Sequence, residues 1–294
     1  MKVPVRFALV LALCGLSLLL GDLTVSKEEV GLRPVALSFS KSGDLFILDA
    51  SGRVMVIPRS DQTGTPRVIA LFSSSWKVSD LAVGDIDGQD HVFVILTQGN
   101  LSQIMQYSVD GKFETSWSQI GPLSGVCTDR SSVYAASWSA GFVYRQPFAA
   151  PPKTSPKPFY RFLNMRSIGS LAWDPIGNVL FAADLQTGSV ISLHIESMQS
   201  QALADGLGQI TALNYDAQGR KLYVVDGAGR TVWSVNTAAK NPKPATVVKS
   251  DQFRIPSAIA VAEDGTLWIG DPEAHALFQF STNGKNTQPL RVIR

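Results

Sequence analysis

Cysteine is almost absent from this 294-residue chain, which has only Cys14 and Cys127. Cys14 falls within an apolar N-terminal segment that we expect to be removed, so the remaining domain cannot form an intrachain disulfide. A domain of roughly 270 residues buries enough apolar surface to fold without one. We expect Cys127 to pack as a small apolar side chain and not to act as a nucleophile.

An excess of charge of either sign is also lacking. The chain has 26 Lys and Arg against 24 Asp and Glu, and the two basic residues of the first 21, Lys2 and Arg6, account for the difference. No basic patch stands out, so we expect no nucleic-acid partner. The one proline-rich basic stretch, 147–158, is typical of an exposed loop.

Histidine is scarce and scattered. The three histidines, His91, His194 and His275, fall at different positions of the repeat described below, so they cannot converge on a zinc ion. The pattern places His91 between the first and second strands of its blade. No segment after the N-terminus has the 3.6-residue period of a helix, which leaves phosphate-binding strand–helix motifs without a context.

The N-terminus combines Lys2 and Arg6 with a nearly unbroken apolar run, Phe7–Leu20. This pattern predicts a signal peptide over 1–21, or an anchor that stays uncleaved, followed by an extension over 22–32. We therefore expect an exported protein, whether secreted, periplasmic or extracellular. Membrane contact would come only through the uncleaved segment.

Six similar segments follow, and one apolar residue of each recurs at steps of 44, 45, 45, 42 and 46 residues: Leu37, Leu81, Val126, Leu171, Leu213 and Ile259. A period near 45 built from short alternating strands is typical of a β-propeller blade. The sequence thus predicts an all-β, six-bladed β-propeller with four-stranded antiparallel blades over 33–294. The repeats run near 33–76, 77–120, 121–166, 167–206, 207–254 and 255–294.

The sixth repeat is the clearest copy. An alternating inner strand around Ile259, the turn 263–265, and a second strand ending at Asp271 precede two further strands, with Pro289–Arg294 as the outer one. If that segment completes the blade, the ring closes by side-chain packing; otherwise Leu23–Val30 adds an edge strand. Repeat two carries extra residues around 85–88.

The stretch from Ala258 to Asp271 resembles the blades of NHL-repeat and SMP-30/gluconolactonase-like propellers. In the lactonases of that superfamily, the resemblance implies a divalent cation at the channel mouth, held by Glu, Asn and Asp side chains at or before the inner strands. Here Asp80 is the only carboxylate at those positions, and Pro34 and Val35 replace the expected Glu. The family's hydrolase activity is therefore not expected.

Two further kinds of residue are candidates for the channel-mouth face. Trp138 lies in the loop between the second and third strands of repeat three, where an aromatic ring can stack on a ligand. Four acids end second strands, either as ligand-binding groups or as acceptors for backbone N–H groups: Asp49, Asp184, Asp226 and Asp271.

The sequence favours an exported, non-catalytic propeller that binds a protein or small-molecule partner through the channel-mouth loops, without a cofactor. The alternative is a metal-dependent hydrolase of the SMP-30 type with a degenerate cation site, in which Asp80 helps to hold a weakly bound Ca²⁺. A third possibility is a purely structural module of an envelope assembly.

Overall fold

The computed structural model describes residues 31–61, 63–282 and 288–294. Within these ranges the chain forms 24 strands arranged as six four-stranded sheets. This confirms the predicted all-β propeller with six antiparallel blades. The predicted signal peptide over 1–21 and the edge strand over Leu23–Val30 lie outside the described residues.

Each blade consists of four consecutive strands, paired antiparallel from the axis outward. The inner strands are β1 (Pro34–Phe39), β5 (Lys77–Ile86), β9 (Leu123–Thr128), β13 (Ile168–Asp174), β17 (Ile210–Asp216) and β21 (Ala258–Val261). The second strands are β2 (Leu45–Asp49), β6 (Gln89–Gln98), β10 (Ser132–Ser137), β14 (Val179–Asp184), β18 (Lys221–Asp226) and β22 (Leu267–Asp271).

The third strands are β3 (Arg53–Ile57), β7 (Leu101–Ser108), β11 (Phe142–Pro147), β15 (Ser189–His194), β19 (Thr231–Asn236) and β23 (Ala276–Phe280). The outer strands are β4 (Arg67–Leu71), β8 (Phe113–Ile120), β12 (Lys157–Arg161), β16 (Gln199–Ala204), β20 (Pro244–Lys249) and β24 (Arg291–Ile293).

The apolar core lies between blades. Buried side chains form six clusters, and each cluster joins residues of two neighbouring blades. A second strand has a blade on either side, so every residue of β2, β10, β14 and β22 is buried, on both faces of the sheet. Trp117, which fits no regular position in the repeat, is fully buried between blades two and three.

Blade two differs from the sequence-based expectation. The extra residues near 85–88 lengthen β5 and β6 to ten residues each and do not form a loop. The strands turn at Asp87–Gly88, where both residues have positive φ, 53° and 85°, as a tight two-residue hairpin requires. The longer hairpin also takes in His91, which lies inside β6 opposite Gly84 and not between the strands as predicted.

The ring closes without exchange of a strand, because β24 pairs with β23 and completes blade six from its own chain segment. Blades six and one meet through an apolar cluster that contains Leu37 and Trp268. An ion pair between Arg59 and Glu263 (3.2 Å) spans the outer part of the same junction. Across the ranges that the structure describes, no helix has the length and apolar character needed to cross a membrane.

Candidate functional site

Polar side chains of the inner strands bond to the backbone of the adjacent blade. Ser38 Oγ accepts from the Val83 N–H (3.0 Å), and Thr211 Oγ1 donates to the Pro256 carbonyl (2.8 Å). The partners of these bonds are 43 to 46 residues apart, which is one repeat. The other bonds of this set pair Asp80 with Val126, Ser124 with Ile168, Thr128 with Val83, and Ser170 with Leu213.

Asp80 takes part in this set of bonds between neighbouring blades. Its Oδ2 accepts from the Val126 N–H of blade three and its Oδ1 from the Leu81 N–H, both at 2.8 Å. The side chain lines an axial cavity of about 170 Å³ between the inner strands. Desolvation in this narrow cavity raises the pKa of Asp80 from 3.8 to about 7, and the two N–H donors offset only part of that effect.

A ring of residues separates the axial cavity from a wider cavity at the mouth of the channel. A β-bulge interrupts the ladder near the start of four inner strands, β1, β5, β13 and β17. A bulge changes the direction in which the side chain at that point projects. Five neutral residues border both cavities: Val35, Ser79, Gly169, Thr211 and Ser257. These five are among the positions that the repeat predicts at the channel, and none of them carries a charge.

The junction between blades six and one departs from this pattern. Ser257 Oγ is buried and has no hydrogen-bond partner among the described residues. Thr211, at the same position of blade five, donates to the Pro256 carbonyl, whereas Ser257 makes no such bond to blade one among the described residues. A buried hydroxyl without a partner is unusual, since most are paired with protein or water. Ser257 therefore carries a buried, unpaired hydroxyl at the junction of blades six and one.

The mouth cavity has a volume of about 700 Å³ and opens on the face that carries the loops between second and third strands. Its apolar wall includes Leu123, Leu185 and Trp138, and Trp138 is 51% exposed. The predicted candidate Trp138 is thus placed at the mouth, while Asp80 lies one level deeper. Sequence reasoning missed three polar wall residues, Lys77, Gln186 and Gln209.

The four acids that end second strands lie elsewhere. They are almost completely buried, and none of them lines the axial or the mouth cavity. Asp271 accepts four backbone N–H bonds: Oδ2 accepts from the N–H groups of Arg254 and Ile255, and Oδ1 from those of Glu273 and Ala274. It therefore ties the loop that enters the inner strand to the turn that follows the second strand.

Asp49, Asp184 and Asp226 are used in the same way. They accept from the N–H groups of Arg33, Arg166 and Gln209 in the entering loops, and from the turn that follows each second strand. In blade two Thr97 stands at the place of the acid and bonds to Ser102, whose Oγ accepts from the Leu123 N–H of blade three, so this contact joins two blades. Of the two roles that the sequence left open, the contacts assign the structural one.

The channel does not fit a tightly bound divalent cation of the kind that the resemblance implies. Ca²⁺ requires six to eight oxygen ligands, including several carboxylates. Among the described residues, Asp80 is the only carboxylate on the wall of the axial cavity, and each of its oxygens already accepts a backbone N–H bond. Within the described part of the chain, no three His, Cys, Asp or Glu side chains form a group that could hold a metal ion.

Comparison with known proteins places this architecture in a family. The family model for the SMP-30/Gluconolactonase/LRE-like region matches residues 102–292, more than half of the chain. No curated protein matches the sequence significantly. The fold is similar to that of a streptogramin B lyase, with a TM-score of 0.63 and 13% identity over 88% of this chain and 82% of that chain.

Two other solved structures show the same fold-level likeness. A chain of a nidogen/laminin complex has a TM-score of 0.59 and 16% identity over 73% of this chain and 80% of its own length. An auxiliary nutrient-binding protein from Bacteroides thetaiotaomicron has a TM-score of 0.61 and 13% identity over 84% and 68%, respectively. At these identities the likeness concerns the fold alone.

The role of Asp271 can be tested by substitution. We expect Asp271→Ala to lower the free energy of unfolding by about 3 kcal/mol, because four backbone N–H groups lose the buried carboxylate that accepts from them. Asp264→Ala is the matched control, since Asp264 caps an exposed turn of the same blade, and we expect a loss of about 1 kcal/mol or less. Urea unfolding measures both. A near-native stability of Asp271→Ala would contradict the structural role.

Asp80 should make stability depend on pH. Its pKa is about 7 in the folded protein and near 3.8 when unfolded, so the folded state binds the proton more tightly. The stability that this proton contributes is present below about pH 4 and is lost as the pH rises through about 7. The difference in unfolding free energy between wild type and Asp80→Asn should therefore fall by roughly 2 kcal/mol between about pH 5 and pH 8.

The lost hydrogen bond in Asp80→Asn adds an offset that does not vary with pH, so the slope is the quantity to test. Asp85→Asn is the control, because Asp85 is exposed and a hydrogen bond from Lys41 lowers its pKa. Its contribution is lost only as the pH falls below about 4, so its difference from wild type should stay flat between about pH 5 and pH 8. A flat difference for Asp80→Asn as well would contradict the raised pKa.

Proposed function

The chain belongs to the SMP-30/Gluconolactonase/LRE-like family, and from this premise we propose that it is a non-catalytic binding module whose ligand occupies the mouth cavity. The observation that carries the proposal is that the axial cavity and the mouth cavity differ in what their residues do. Polar groups in the axial cavity join blades, whereas the mouth above them offers a wide, partly apolar space.

The dimensions of the mouth cavity favour a small molecule as the ligand. Small-molecule sites usually have volumes of about 300–1,000 Å³, apolar walls and a few polar groups that fix orientation. The mouth cavity has about 700 Å³, the exposed ring of Trp138, and polar groups that include Gln186, Gln209 and Ser257. A ligand of this kind would bury the exposed indole of Trp138.

The described residues of the two cavities include no nucleophile paired with a base, which supports the non-catalytic interpretation. A general base needs a reacting group within hydrogen-bond reach, and a nucleophile needs an adjacent base. Asp80 accepts two backbone N–H bonds below the mouth, and Cys127, the thiol of the axial wall, has its pKa raised well above the usual range by burial. The family's fold also occurs with different functions: one structural neighbour is a lyase and another a nutrient-binding protein.

We also propose that the protein acts outside the cytoplasm, on the strength of the charged and apolar N-terminal pattern over 1–21. A ligand reaching the mouth cavity would then come from the exterior or from the periplasm.

The proposal predicts no turnover. Purified wild type and Asp80→Asn should hydrolyse a γ-lactone and p-nitrophenyl acetate no faster than metal ion alone, with Ca²⁺, Mn²⁺ or Zn²⁺ added in turn. Initial rates followed by absorbance or by pH-stat give the result. Asp85→Asn serves as the control for surface charge. Metal-dependent turnover that survives in Asp85→Asn and is abolished in folded Asp80→Asn would establish the hydrolase instead.

A further inference from the structure

The wall of the mouth cavity carries a single charged side chain, Lys77, among its described residues. We propose that the cavity selects an amphipathic monoanion: a compact apolar or aromatic body that bears one carboxylate or sulfonate group. This inference rests on the proposed binding function and adds the chemical class of the ligand.

The apolar part of the wall sets the body of the ligand. Trp138 is 51% exposed, and Leu123, Leu185, Pro122 and Pro272 line the same cavity. An aromatic or aliphatic body laid against them removes apolar surface from water, at about 25 cal/mol per Å². An indole face also stacks on a planar ligand with a geometry that an aliphatic wall does not provide.

Lys77 sets the charge of the ligand. It begins the inner strand of blade two and is exposed, and no described residue forms an ion pair with it. An anionic group beside this ammonium gains an attraction that becomes stronger as the ligand excludes water from the cavity. A cationic ligand would meet a like charge and no carboxylate on the described wall.

The buried acids shape the same selectivity indirectly. Asp184 Oδ1 accepts from the Gln186 N–H (2.8 Å), and Asp226 Oδ1 accepts from the Gln209 N–H (3.1 Å). These bonds keep both carboxylates buried and away from the cavity wall. They also fix the backbone of two residues whose side chains line the wall, so Asp184 and Asp226 act as positioning residues. The primary amides of Gln186 and Gln209 can donate hydrogen bonds to an anion.

Two fluorescent probes with nearly the same aromatic body but different charge test the inference. We would titrate the full-length protein with anionic 8-anilino-1-naphthalenesulfonate and with neutral N-phenyl-1-naphthylamine. In Lys77→Gln, the affinity for the anionic probe should fall about fivefold while that for the neutral probe changes less than about twofold. Raising the salt concentration should weaken anion binding to wild type but not to Lys77→Gln.

Matched variants keep the readout specific to the cavity. Lys249→Gln removes an exposed lysine at the end of β20 that does not line the cavity, and it should leave both affinities unchanged. Trp138→Ala should weaken both probes, whereas Leu163→Ala, at an exposed residue outside the cavity wall, should weaken neither.

The outcomes separate the two proposals. If Trp138→Ala weakens both probes but Lys77→Gln weakens neither or weakens both equally, the preference for a monoanion is wrong and the binding function stands. If neither probe is affected by Trp138→Ala, or neither binds to wild type, the mouth cavity is not a binding site and both proposals fail. A selective loss of the anionic probe in Lys77→Gln supports both.

Discussion

The structure depends on hydrogen bonds that run from the side chains of one inner strand to the backbone of the next. Each bond spans one repeat, so the spacing of about 45 residues in the sequence is also the spacing of the contacts that hold blades side by side. Apolar clusters supply most of the burial between blades, but they do not fix the register of one sheet against another. Directional bonds at the axis can do so.

This use of polar groups limits what the axis can do for a ligand. Asp80 has its two oxygens engaged by backbone N–H groups, and Thr211 donates to the backbone of blade six. The acids at the ends of second strands are engaged in the same manner, with Asp271 accepting four N–H bonds. Our proposal therefore assigns ligand binding to the mouth cavity, whose wall is partly apolar and carries one charged side chain, Lys77, among its described residues.

The repeat predicted the number of blades, the strand order and the residues that face the axis, because each of these follows from periodicity. It could not predict which inner-strand polar groups are engaged, since the partner of Asp80 is the Val126 N–H of another blade. It also missed Lys77 and Gln186, which become wall residues only when six loops are brought together.

The unpaired Ser257 hydroxyl at the junction between blades six and one also could not be predicted from the repeat. Ser257 Oγ has no partner there among the described residues, although Thr211, at the same position of the repeat, donates to the Pro256 carbonyl. The ring closes at this junction through apolar packing and ion pairs. The local sequence contains each of these residues, but they come together across the junction only when the ring closes. Ser257 borders both cavities, but its hydroxyl is buried and takes no part in the bonds between blades.

The central claim is tested most directly by a pH titration of Asp80, with and without Ca²⁺, in which ¹³C NMR follows its carboxyl carbon. If Asp80 joins blades and does not hold a cation, its pKa stays at about 7 when Ca²⁺ is added to about 10 mM, a concentration that saturates even weak sites. A bound cation would stabilise the charged form, so a pKa that falls by about one unit or more on adding Ca²⁺ would contradict the account.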